Sequence, residues 1–481
     1  IAALGIAAVM AGLAGCVFDE RAIPMKSEYF VPVRVSAEPE AAGHVSQGRD
    51  GQADRVELVT DRTGPARVAN TREWLRAAHA QLEHLLPPRG RRVLLTEDML
   101  DEQGRPVDVY RYFDRPPETL NKLHQNWNGM VHTGQAVSRS EAIDEPVPPW
   151  EGFRTVWIPV AERISLHGRL AVQTGPDGEP VDADCIVLIP GFLGDNAVLR
   201  TRDLAFALRD RGFHVLALEL RGHGRVEYYY PDVYYNFGVI ETQDLMRVSE
   251  WLQDHHPFIR NTGLIGFCWG GNHAMLAAWY DGRRPDDPSI TPRVAAHLDP
   301  PTGRKHYTAG VIAFSPVLTW ERLMEDADTP REDMWTDPSM YFFQQTVKSR
   351  MRRKGYPEVS GSLRRLINYE FAHSEFGPSF PIVEGYQFLR FMPHRGQPDG
   401  DKMEFARIPV LMVTSVNDPF LPAQDMADFT ARTDNPLVAT LILRGGGHIG
   451  FGPYNPAYFY SLILNYFDPV HGAAAVAGTR E

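Results

Sequence analysis

The stretch Gly263-Leu264-Ile265-Gly266-Phe267-Cys268-Trp269-Gly270-Gly271 runs from a short apolar segment straight into the helix-like Asn272 to Tyr280. A strand that turns abruptly into a helix carries its central side chain on a strained corner, and glycines on either side give that corner room. The corner side chain here is the thiol of Cys268, at a place where serine is the usual occupant. At a helix N-terminus a cysteine lies near free backbone N–H groups and the positive end of the helix dipole, which favours its thiolate. Cys268 is therefore the candidate nucleophile. Cys185 differs, because it sits inside the apolar run Cys185 to Ile189 and reads as packing in a buried strand.

Outward from the corner, short apolar runs alternate with helical stretches from about Phe153 onward, the signature of an α/β fold with a mostly parallel central sheet and flanking helices. Alternating residues in Phe153 to Val160 and Ile164 to Val172 predict a pair of strands. Further strands are predicted at Cys185 to Ile189, Phe213 to Leu218, Gly263 to Gly266, Gly310 to Phe314, Val410 to Thr414 and Leu437 to Leu443. Helices fill the intervals at Val198 to Arg211, Ile240 to His255, Gly270 to Tyr280, Pro422 to Arg432 and Asn455 to Phe467. One interval, residues 316–408, is far longer than an ordinary connection, and its many aromatic side chains suit a cap or lid over a pocket. The basic run Lys348 to Lys354 within it reads as a solvated face.

Acyl transfer by a nucleophile needs a base in hydrogen-bond reach and an acid that fixes the base's tautomer. The strand Val410 to Thr414 runs into Ser415-Val416-Asn417-Asp418-Pro419, which puts the Asp418 carboxylate where the sheet ends. The next strand runs into Gly445-Gly446-Gly447-His448, a glycine-rich loop in which an imidazole can approach the corner closely. An oxyanion requires two preorganised N–H donors. Trp269 supplies one, directly after the nucleophile, and Phe192 in the loop Pro190-Gly191-Phe192-Leu193-Gly194 supplies the other. Of the other histidines, His223 belongs to a loop that shapes the site, His255 and His256 end a helix, and His273 lies on the corner helix. No HExxH, paired CxxC or Walker-type loop occurs, so a metal or cofactor has no motif to rest on, and no cofactor is expected.

Lys and Arg number 49 against 61 Asp and Glu, a net charge of −12 without a long basic run, which argues against a nucleic-acid partner. Residues 1–16 are almost wholly small or apolar and end in Leu13-Ala14-Gly15-Cys16, resembling the end of a bacterial lipoprotein signal segment whose Cys16 would be lipidated. On that reading the protein is lipid-anchored in a bacterial cell envelope. Residues 17–70 then form a tether, with Ser36 to Asp54 poor in large apolar side chains, and residues 71–150 form an N-terminal extension. Within the extension, Trp74, Leu75, Ala78, Leu82 and Leu86 predict an amphipathic helix over Thr71 to Leu86, and nothing in residues 55–150 reads as chemistry. Residues 151–315 and 409–468 make the core, and residues 469–481 a flexible tail.

Several motifs together resemble the YheT/EMB8-like branch of the α/β-hydrolases, over roughly residues 150–470. They are the Gly191 loop, Glu241-Thr242-Gln243-Asp244-Leu245, Gly270-Gly271-Asn272, Asn417-Asp418-Pro419-Phe420-Leu421-Pro422 and Gly446-Gly447-His448-Ile449-Gly450-Phe451. The resemblance implies an α/β-hydrolase fold with a cap insertion and the chain order nucleophile, acid, histidine, hence Cys268, Asp418 and His448. It implies a carboxylic-ester hydrolase working through a Cys-His-Asp triad and a thioester acyl-enzyme on a small or lipid-like ester. The alternatives are an acyltransferase similar to polyhydroxyalkanoate synthases, which also place cysteine at this corner, and an inactive binding lipoprotein. The chain departs from the branch in its cysteine, in Pro190 where histidine usually precedes the loop glycine, and in residues 17–150, which have no counterpart.

Overall fold

Aliphatic runs with a two-residue period form strands that send alternate side chains to opposite faces. In Ala183–Ile189 the side chains of Cys185, Val187 and Ile189 enter one buried cluster, while Ile186 and Leu188 enter another on the far side. Both faces of the strand are thus covered, as a parallel sheet requires. A computed structural model describes residues 26–33, 44–47, 53–56, 70–114, 129–133, 149–196, 198–300, 303–331, 337–393 and 402–467. The expected signal segment with Cys16 and the C-terminal tail lie outside these residues.

The strands of the main sheet are β1 (Leu94–Leu95), β2 (Arg154–Ala161), β3 (Ile164–Ala171), β4 (Ala183–Ile189), β5 (His214–Leu218), β6 (Ile259–Phe267), β7 (Gly310–Phe314), β8 (Val410–Ser415) and β9 (Val438–Leu443). Their spatial order is β1-β9-β8-β7-β6-β4-β5-β3-β2. The strands from β5 to β9 in that order pair in parallel, and β2, β3 and β1 pair antiparallel at the two edges. This is the α/β-hydrolase fold that the sequence predicts. Two differences are instructive. Strand β6 begins at Ile259, before the predicted Gly263, because Asn261 is polar yet buried, its amide donating to Asp184 Oδ1 at 3.0 Å. Strand β1, two residues long, is too short to leave a periodic signal.

The longer helices among the described residues are α1 (Thr71–Leu82), α2 (Leu199–Asp210), α3 (Val239–His255), α4 (Trp269–Tyr280), α5 (Trp320–Asp328), α6 (Pro338–Arg353), α7 (Leu363–His373), α8 (Ile382–Leu389), α9 (Gln424–Thr430) and α10 (Pro456–Phe467). Helix α1 starts where Asn70 Oδ1 accepts the Glu73 N–H at 3.1 Å, and it buries Trp74, Leu75, Ala78 and Leu82 as the periodicity predicts. Fully burying a leucine such as Leu75 or Leu82 contributes roughly 1.5–3 kcal/mol. Within the span read as a tether, residues 26–33 run along α10. There Val31 N–H donates to Ser461 Oγ at 2.9 Å and Val33 N–H to Asn465 Oδ1 at 2.8 Å.

The long interval between β7 and β8 holds α5 to α8. Its basic run is not wholly a solvated face, because Arg350 is fully buried. Arg350 Nε donates to Glu370 Oε1 at 2.7 Å, Nη2 to Glu370 Oε2 at 3.2 Å and Nη1 to the Gly222 carbonyl at 3.0 Å, and Glu227 is a further ion-pair partner. Neighbouring Arg352 and Arg353 are exposed, so one helical face of the run points inward and the other to solvent. Arg350→Met leaves the buried Glu370 carboxylate without its ion-pair partner, while Glu227 keeps Arg353, and urea denaturation should show a loss of roughly 3–5 kcal/mol. An unchanged midpoint would refute the role of this ion pair in fixing the insertion to the core.

Candidate active site

Strand β6 ends at Phe267, and the chain reverses into α4 through Cys268, whose φ of 57° lies in the left-handed region. Little but glycine fits around it. A Cβ on Gly266 would stand 2.0 Å from the Gly270 carbonyl oxygen, and one on Gly270 would stand 2.2 Å from that of Pro190. The corner is tied down by the Cys268 N–H, which donates to the Phe314 carbonyl at 2.8 Å, and by the Gly271 N–H, which donates to the Cys268 carbonyl at 2.9 Å. A strained non-glycine residue persists only where its surroundings over-determine it.

Asp418 follows the end of β8 and His448 the end of β9, so both lie at the same sheet edge as Cys268. His448 Nδ1 donates to Asp418 Oδ2 at 2.8 Å. The other carboxylate oxygen accepts the Phe420 and Leu421 N–H groups at 2.9 and 3.0 Å, which fixes its orientation. With Nδ1 engaged, the remaining ring nitrogen makes the hydrogen bond between His448 and the Cys268 thiol. The backbone N–H groups of Phe192 and Trp269 also hydrogen-bond that sulfur. Cys268, His448, Asp418, Phe192 and Trp269 therefore lie together at one place.

The electrostatics follow from this packing. Burial alone would push the Cys268 thiol up, but the charge and hydrogen bond of His448 and the two backbone donors outweigh it and hold the thiol below its ordinary value. Burial would lower His448, whereas Asp418 and Cys268 raise it to about 10. The two shifts share one cause, since each group favours the charged form of the other. Cys185 has no such partner, and burial alone pushes its thiol up.

The donor loop is itself held. Leu193, at φ 54°, gives its N–H to His223 Nε2 at 3.1 Å, and His223 Nδ1 donates to the Arg221 carbonyl at 2.6 Å. His223 thus shapes the site, and burial, aided by Arg350 and Arg353, lowers it to about 3, so it stays neutral. Rings close the approach: Phe192 lies 5.6 Å from Phe343 of α6, Phe343 6.0 Å from Phe420, and Phe420 5.0 Å edge-on to His448. Sequence reasoning did not single out Arg200, whose buried guanidinium lies 3.9 Å over the Phe267 ring and interacts with Cys268. Nor did it reach Thr133, whose Oγ1 accepts the His448 N–H at 3.0 Å across 315 residues of chain, a separation that leaves no local pattern.

The alpha/beta hydrolase fold family model matches residues 184–452. The chain belongs to that family. Similar solved structures include the Pyrococcus furiosus esterase Pf2001, 15% identical with a TM-score of 0.42, covering 68% of this chain and 97% of that one. Est1E from Butyrivibrio proteoclasticus is 12% identical with a TM-score of 0.40, covering 66% and 99%. The Pyrococcus horikoshii acylaminoacyl peptidase is 14% identical with a TM-score of 0.40, covering 66% and 41%. At such identities the likeness concerns the fold alone. No curated protein matches the chain.

Alkylation by iodoacetamide reports the thiolate. For Cys268 its rate should be half-maximal below pH about 8.5, the ordinary thiol value. In His448→Ala burial remains while the counter-charge is gone, so the midpoint should rise. Equal midpoints in the two proteins would contradict the pairing.

Proposed function

We propose that the protein is a carboxylic-ester hydrolase in which Cys268 is the nucleophile, His448 the proton carrier, Asp418 its orienting acid, and the Phe192 and Trp269 N–H groups the oxyanion donors. The observation that carries this reading is the continuous hydrogen-bonded chain from Asp418 through His448 to the sulfur of Cys268.

The chemistry follows from the geometry. The thiolate attacks the acyl carbon, and the carbonyl oxygen takes up negative charge where two N–H groups now address the sulfur. Losing one such donor costs about 3 kcal/mol of transition-state stabilisation. As the C–O bond breaks, imidazolium His448 gives its proton to the departing alcohol oxygen, leaving a thioester and a neutral imidazole. That imidazole takes a proton from water, the hydroxide adds to the thioester carbon, and the C–S bond breaks to return the thiolate and release the acid. Asp418 keeps the Nδ1 proton in place throughout and never needs to accept it.

The aromatic side chains of Phe192, Phe343 and Phe420 favour an apolar acyl group, and α5 to α8 serve as the cap that bears on it. The motifs that resemble the YheT/EMB8-like branch agree with this reading, as does membership of the hydrolase family. Anchoring in a bacterial envelope through Cys16 rests on the sequence pattern of residues 1–16. Metabolic labelling with palmitate should mark the full chain and fail in Cys16→Ser, and label retained in that variant would place the anchor elsewhere.

The test of activity is a panel of esters of graded acyl length, assayed on the wild type and on Cys268→Ala. Hydrolysis by the wild type should exceed that by the variant by at least about a thousand-fold, the scale set by removing a nucleophile. Equal rates in both would refute the assignment. Product formed only with an added alcohol or thiol acceptor would favour acyl transfer over hydrolysis.

A further inference from the structure

Residues 129–133 belong to the N-terminal extension, in which no chemistry is legible from sequence, yet they form a short helix packed against both loops that carry Asp418 and His448. We infer that this helix is a positioning element of the reaction, with Thr133 holding the backbone of His448 and His132 holding the two loops together. The inference rests on the reading of Cys268, His448 and Asp418 given above.

Three contacts carry it. The His448 N–H donates to Thr133 Oγ1 at 3.0 Å, at a site where both residues are buried. The Gly446 N–H donates to His132 Nδ1 at 3.3 Å, and Asn417 Nδ2 donates to the same atom at 3.2 Å. Because a backbone N–H can only donate, His132 Nδ1 must be the acceptor, and the ring proton sits on Nε2. Asn417 in turn accepts the Gly447 N–H at 3.0 Å through Oδ1, so one asparagine and one histidine bridge the segment before Asp418 to the segment before His448.

The backbones meet without room for side chains. Gly447 has φ +59°, and a Cβ there would stand 2.3 Å from the Gly129 carbonyl oxygen and 2.7 Å from Thr133 Oγ1. A Cβ on Gly450 would stand 1.8 Å from the His132 carbonyl oxygen, and one on Gly129 would stand 2.2 Å from that of Asn417. The glycines of the histidine loop therefore have a second use besides bringing the imidazole to the corner: they admit this helix. The Tyr454 ring, 5.2 Å from that of His132, closes the far side.

The consequence is geometric. Thr133 touches neither the sulfur nor any reacting atom, and it acts by fixing the backbone from which the imidazole hangs. Replacing it with valine keeps the shape and removes the acceptor, leaving a buried N–H unpaired, so the loop shifts to find another partner. Misplacement of a reacting group by about 1 Å costs roughly a hundred-fold in rate.

The experiment uses the full chain and the best ester from the graded panel. Thr133→Val should lower kcat about ten- to a hundred-fold with KM little changed, and should raise the alkylation midpoint of Cys268 toward the ordinary thiol value. Thr133→Ser, which keeps the hydroxyl, should restore both. A purely structural residue would lower the denaturation midpoint without moving the Cys268 titration. Should Thr133→Val not fold, hydrogen–deuterium exchange of the wild type decides, because the inference requires the Gly446 and His448 amides to exchange slowly. Rapid exchange there, or a Thr133→Val protein with wild-type kcat and titration, overturns the inference. A wild-type Cys268 that titrates as an ordinary thiol overturns the reading beneath it instead.

Discussion

A sulfur held on a left-handed corner is the constraint from which the rest of this structure takes its form. The chain can reach φ 57° at Cys268 only because glycine at 266 and 270 lets backbone lie against backbone. The parallel strands β4, β6 and β7 must then run in register beneath it, with Ile189 opposite Gly266 and Phe267 opposite Phe314. The sheet has to be buried on both faces to hold that register, which is why two separate apolar clusters flank it. The helices, the edge strand β1 and the segment along α10 all contribute to that burial.

Placing a thiolate in such surroundings is costly unless opposite charge is close. In the proposed reaction His448 provides it and Asp418 makes His448 able to do so, while amide hydrogen bonds hold the carboxylate. The same logic recurs at one remove. Neutral His223 holds the donor loop through Leu193, Arg350 reaches from the insertion to the Gly222 carbonyl beside it, and Glu370 joins Arg350 to the Tyr235 N–H. The insertion and the oxyanion loop are thereby mechanically connected, so side chains that never touch the sulfur still bear on the position of the N–H groups that do.

The fold was legible because its signals are local. Cys185 to Ile189 or Val410 to Thr414 states its strand in a handful of adjacent residues, and the corner at Cys268 is written in six. Asp418 and His448 were legible for a related reason, since each follows a strand within a few residues and its place at the sheet edge comes with the strand. What escaped is what depends on tertiary approach. Nothing near Thr133 in sequence distinguishes it from any other surface threonine, because its partner lies 315 residues away. Arg350 sits in a basic run whose composition suggests water, and only the helix phase turns it inward to Glu370. Arg200 is likewise a helix residue whose significance arises from Phe267, a ring at the end of strand β6.

In the proposed reaction the sulfur of Cys268 forms a covalent bond to the acyl group during turnover. The most direct measurement is rapid acid quench of the enzyme with an ester substrate, followed by peptide mass analysis. A peptide containing Cys268 should gain the mass of the acyl group and lose it on treatment with hydroxylamine. Steady hydrolysis with that peptide unmodified at every quench time, or acyl mass on another residue, would contradict it.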